Sequence, residues 1–149
     1  MVDARDIYQD FLDRVSGLLM AGEISAIVDC MICPQEIRTL DGFLKVTTAR
    51  QMFDVVSDFR AFLMGFGTTD YHRICDWAEI DEAGETITGE HMTYVLRGGG
   101  FAMAPIRSRM ILRRVDGAWR GAGNCAEVSN RAFTLLSPEQ LRSVARSHP

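Results

Sequence analysis

The sequence predicts an α+β fold: a curved antiparallel β-sheet wrapped around N-terminal helices to form a cone. Three observations predict it. Before residue 66, apolar residues recur mainly at helical spacing. From residue 69 the repeat changes to period 2. The connections between the later segments are short and rich in glycine, and short connections force antiparallel neighbours. Helices packed on one face of such a sheet give the α+β arrangement, and long twisted strands curl it into a cone with an interior.

Each element has its own signal. Ile7, Tyr8, Phe11, Leu12, Val15, Leu18 and Leu19 share one helical face, which sets a helix over about 3–21 with Gly22 at its end. A short second helix is expected over 23–28. A strand with a bend at Pro34 then runs to about Thr39, and Leu40-Asp41-Gly42 forms a turn. Thr48 and Gln51 make a capping box ahead of Met52, Phe53, Val56, Phe59, Phe62 and Leu63, so a second long helix ends near Gly65 or Gly67. Four strands follow, over about 69–80, 86–97, 104–115 and 118–129, joined by DEAGE, GGGFAMAP and DG. Ser137-Pro138-Glu139-Gln140 opens a C-terminal helix over about 138–146. The whole chain, 1–149, reads as one domain with its core over about 3–130.

Composition narrows the function classes. The net charge of −4 and the pI of about 5.3 argue against nucleic acid or an anionic membrane as partner; Lys45 is the only lysine, a composition bias. No apolar run is long enough to span a bilayer, and the charged start lacks a signal-peptide core. A cytoplasmic location is the resulting expectation. Cys30 and Cys33 form a lone C-x-x-C with no histidine nearby in sequence, which reads as buried small residues; no metal and no cofactor are expected.

Register points to a polar group. A two-residue turn at Ala83-Gly84 pairs Ile80 with Ile87 and Asp76 with His91, placing His72, Asp76 and His91 on one face. A carboxylate beside an imidazole orients its tautomer and raises its pKa, which suits acid–base chemistry. The opposite face, with Tyr71, Arg73, Cys75 and Trp77, is the more apolar. The His/Asp face therefore lines either a pocket or an outer surface. The DG turn pairs Arg109 with Asn124, a pair able to anchor a carboxylate or carbonyl. The glycines of Gly121-Ala122-Gly123 permit a bend or a close approach beside a pocket. The Gly98-Gly99-Gly100 loop with Phe101 reads as a lid or a plain connection.

The order of elements resembles the nuclear-transport-factor-2-like superfamily, also described as cystatin-like or ketosteroid-isomerase-like. PQEIRTLDG after the short helix, GFGTTDYHR at the end of the long one, IDEAGETITGEHMTYVLRGG and VDGAWR resemble its SnoaL-like branch. The resemblance covers about 3–130 and implies a cone with a hydrophobic pocket. Its isomerases combine a first-helix tyrosine with two strand aspartates; Tyr8 matches the first role, and no aspartate pair is matched.

Two functions follow as expectations. One is a small-molecule binder, extending to a cofactor-free isomerase, dehydratase or cyclase acting on an apolar carbonyl compound. Its catalytic groups are His91, Asp76 and Tyr8. Its ligand-binding groups are His72, Tyr94, Arg109, Asn124, Phe53 and Phe59. The other is a non-catalytic ligand-binding or association module. Partners are a small hydrophobic ligand and a second copy joined through the sheet.

Overall fold

A computed structural model describes residues 3–141. Helix α1 spans Ala4–Ala21, α2 Ile24–Asp29 and α3 Ala49–Gly65. Strands are β1 Met31–Arg38, β2 Phe43–Val46, β3 Asp70–Ile80, β4 Thr86–Arg97, β5 Gly100–Phe101, β6 Ile106–Val115 and β7 Ala118–Ala126. They form one curved sheet in the order β2-β1-β7-β6-β4-β3, with β5 attached to β4.

The local signals act where the sequence places them. The Asp3 side chain accepts from the Asp6 amide and Gly22 closes α1 in the left-handed conformation, at φ 78°. Thr48 Oγ1 accepts from the Gln51 amide, while Gln51 Oε1 reaches back to the Thr47 amide. Asp116 and Gly117 both have positive φ, as the tight DG hairpin requires. Ser137 Oγ accepts from the Gln140 amide, and helix starts at Pro138. The remainder of the expected 138–146 helix lies outside the described residues.

Three features differ from expectation. Strand β2 pairs antiparallel with β1 over 43–46, a stretch expected to be a connection. Strand β1 pairs parallel with β7, so the layer is mixed rather than wholly antiparallel. The Ile80–Ile87 pair forms as expected, but its connection is a longer loop in which Asp81 Oδ1 accepts from the Glu85 and Thr86 amides.

The core lies between the concave sheet face and α1 and α3. Tyr8, Leu12 and Leu63 from the helices meet Ile87, Val95 and Leu112 from the sheet, all at 1% exposure or less. Burying side chains of this kind stabilises by about 1.5–3 kcal/mol each. After β7 the chain returns over α3, and Phe133 packs edge-on against Phe59 and Phe62. Arg60 on α3 donates to the Leu19 and Met20 carbonyls, tying the two long helices together at the end of α1. Among the described residues no helix is long and apolar enough to cross a membrane.

Candidate functional site

Two irregularities decide which side chains face inward. The first is a bulge in β3. Cys75 pairs with His91 and Trp77 with Glu90, leaving Asp76 unpaired between them. The expected Asp76–His91 pair is therefore corrected: Asp76 is exposed, and His91 is 2% exposed on the inner face. His72 pairs with Tyr94 on the outer face and is exposed there, so His72, Asp76 and His91 do not converge. The bulge has a partner in α1. Gln9 donates to the Arg73 carbonyl and accepts from the Cys75 amide, and Arg5 donates to the Cys75 and Asp76 carbonyls. These bonds also cover β3, which is an edge of the sheet.

The second irregularity is in β7. Ile111 pairs with Gly123 and Leu112 with Gly121, so Ala122 is the extra residue. Beyond it every side chain changes face relative to the simple hairpin register. The expected Arg109–Asn124 pair is corrected by this shift: Arg109 pairs with Cys125 and stays outside, while Asn124 pairs with Met110 and turns inward. Outside, Arg109 and Arg107 both donate to Glu90, and Arg109 also lies over the Trp77 ring at 5.4 Å. Those two guanidinium groups hold the Glu90 carboxyl below its ordinary range.

Inside, His91 meets Tyr8. The Tyr8 hydroxyl lies 2.6 Å from His91 Nδ1 and both residues are buried. Burial disfavours both charged forms. It holds His91 at about 3, with the Arg73 charge adding to the depression, and pushes the Tyr8 hydroxyl well above its ordinary value. At neutral pH both groups are uncharged. A neutral imidazole and a neutral hydroxyl share one hydrogen bond between them, its direction set by the imidazole tautomer. Gly89 makes room for this pair: a Cβ there would stand 2.4 Å from the Tyr8 ring.

Beside this filled region lies a cavity of about 110 Å³. Its apolar wall includes Phe11, Val56, Phe59 and Met110, and its polar residues are Gln35, Tyr71, Arg73 and Asn124. Gln35 Nε2 is engaged by the Ile32 and Gly121 carbonyls, at 2.8 and 3.0 Å. Asn124 Oδ1 is buried without a protein partner. Arg73 Nε donates to Ser16 Oγ at 2.8 Å and Nη2 to the Leu12 carbonyl at 3.2 Å. Of the expected ligand-binding residues, Phe59 and Asn124 line this cavity. Tyr94 and Arg109 stand on the outer face, and half-buried Phe53 lies under Arg50. Phe101 stacks on Tyr94 and contributes nothing to the lining, so the glycine loop does not cover the cavity as a lid.

Sequence reasoning passed over Arg73 and Gln35. For Arg73 a signal was present: it is the one charged residue in the alternation Tyr71, Arg73, Cys75 on the apolar face. Cys30 is buried, and its thiol donates to the Ala26 carbonyl in the last turns of α2.

No protein-family model matches the chain and no curated protein matches it. Solved structures do. One is an NTF2-like protein with a cystatin-like fold from Novosphingobium aromaticivorans, at 19% identity, covering 90% of this chain and 89% of that one, with a TM-score of 0.63. A domain of unknown function with a cystatin-like fold from Nostoc punctiforme matches at 15% identity over 94% and 91% of the two chains, TM-score 0.63. An NTF-2-like protein of unknown function from Shewanella oneidensis matches at 6% identity over 83% and 98%, TM-score 0.65. The likeness is one of fold and does not choose the SnoaL-like branch within it. With its helices against the concave side of a curved, unclosed sheet, this chain has a cystatin-like fold, as those NTF2-like structures do.

Proposed function

We propose that the protein binds a small, mainly apolar molecule between α1, α3 and the concave sheet. The observation that carries this reading is the cavity of about 110 Å³, walled by aromatic and aliphatic groups and bordered by a few convergent polar ones. An apolar protein cavity of roughly 150 Å³ holds benzene, so the scale here is one ring or a short chain. Neighbours of the same fold, several of unknown function, agree with a binding role without adding a ligand.

The geometry favours binding over acid–base catalysis. His91 has lost its expected carboxylate, and an imidazole held near 3 is a weak base at neutral pH. Tyr8 and His91 are bonded to each other, and neither borders the cavity. The test uses methyl NMR with toluene, benzyl alcohol and benzoate as probes. At least one is expected to shift the Met52, Val56 and Met110 methyl signals, and Val56→Trp is expected to abolish the shifts. If none of the three moves those signals, the reading fails.

A second reading rests on the outer face. Ile74 and Phe101 are 50% and 67% exposed, and Met92 and Tyr94 lie between them in the layer. We propose that a second copy covers this strip, since exposed apolar patches of this kind mark association surfaces. Sedimentation at micromolar concentration is expected to give a dimer that Ile74→Asp dissociates; a monomeric wild type overturns this.

A further inference from the structure

We infer that the cavity's ligand carries a carboxylate or a comparable organic anion, and that the Arg73 guanidinium receives it. This rests on the cavity-binding reading and names the class of molecule. Arg73 lies on the inner face of β3 and borders the cavity, among groups that are otherwise apolar or uncharged. Its two hydrogen bonds go to neutral oxygens of α1, the Ser16 hydroxyl and the Leu12 carbonyl. A guanidinium has more N–H donors than these two bonds use.

No ion pair involves Arg73 among the described residues. Asp13 and Asp70 line a groove together with Arg73, but neither forms an ion pair with it; Asp13 accepts from Gln9 and Asp70 from Thr69. The contrast with the outer arginines is direct. Arg107 and Arg109 share the Glu90 carboxylate, whereas the inward cation has none. A half-buried positive charge without a counter-charge is costly, and a bound anion offsets that cost. The two bonds to α1 also hold the fork in place, which is the arrangement that suits planar recognition of a carboxylate. Asn124 Oδ1, an acceptor in the lining, adds a preference for a ligand that also bears a donor.

Benzoate and benzyl alcohol separate the charge from the ring. Titration calorimetry on the full chain is expected to show benzoate bound at least tenfold more tightly than benzyl alcohol. In Arg73→Met the preference is expected to fall to about twofold or less, and in Arg73→Lys to persist in weakened form. Circular dichroism confirms that each variant is folded. Wild-type protein that binds benzyl alcohol as tightly as benzoate overturns the inference while leaving the cavity reading intact. So does a benzoate preference that survives in folded Arg73→Met. Binding of neither compound removes both.

Discussion

Gly89 and Gly121 lie on the same concave face, and each allows another side chain to come close. At Gly89 the Tyr8 ring fills the space, with its hydroxyl fastened to His91. At Gly121 the neighbours are the Met31 thioether, 2.7 Å from a built Cβ, and the edge of Phe11 at 3.3 Å. Gly123, beyond the bulge and paired with Ile111, faces the outer side, where a Cβ would meet only the Glu36 carbonyl oxygen at 3.7 Å. One end of the sheet is therefore plugged by a hydrogen-bonded aromatic, while the other is met by the flexible tip of Met31 and the edge of Phe11, with a cavity beside them. A strand glycine by itself does not make a pocket. What matters is whether an opposing helix carries a residue long enough, and anchored well enough, to occupy the gap.

The largest effect is expected where the gap is full. Gly89→Ala drives a Cβ into a ring that cannot retreat without giving up its bond to His91. A loss of about 3 kcal/mol or more is expected in urea unfolding. A loss below about 1 kcal/mol would mean that the Tyr8 ring is not held there.

A smaller effect should come from proton linkage at the same pair. The unfolded chain protonates His91 near 6.5, whereas the folded chain does so only at about 3. Across that window the unfolded state binds the extra proton, so stability falls as pH falls. Between pH 7.5 and 5 the loss attributable to His91 is about 2 kcal/mol. It should be absent from His91→Gln, and the difference between the two unfolding curves isolates it from carboxylate titration. Equal slopes in both proteins would assign the loss to other groups. Tyr8→Phe, which leaves Nδ1 without its hydrogen-bond partner, should cost about 1–3 kcal/mol at pH 7.

The mildest changes belong to the hollow end. Gly121→Ala displaces only the tip of Met31, so a cost of about 1 kcal/mol or less is expected. If Met31 swings into the cavity, binding of the small aromatic probes should weaken several-fold. Gly123→Ala meets open space and should leave stability within about 0.5 kcal/mol of wild type. A cost above about 2 kcal/mol at Gly121 would remove the contrast between the two ends.

Part of the candidate site was readable in advance. Phe59 follows from helical periodicity, and burial of Tyr8 follows from the apolar face of α1. Tyr8 and His91 were both singled out by type, yet the contact between them was not legible, because it joins positions separated by 83 residues. Asn124 was chosen for the wrong neighbour and proved to line the cavity all the same. Arg73 was visible as a charge in an apolar alternation, but only its bonds to Leu12 and Ser16 show that it is held inward.

By itself the sequence determined the order of helices and strands, the caps at Thr48 and Ser137, the DG hairpin and the Ile80–Ile87 pair. These depend on residues close together along the chain, where backbone preference and short-range hydrogen bonds decide. Only the tertiary structure decided the bulges at Asp76 and Ala122 and the parallel β1–β7 pairing. A one-residue bulge leaves the composition of a strand unchanged yet sends every later side chain to the opposite face. Where it falls depends on distant partners, such as Gln9 and Arg5 reaching from α1 to the edge of β3.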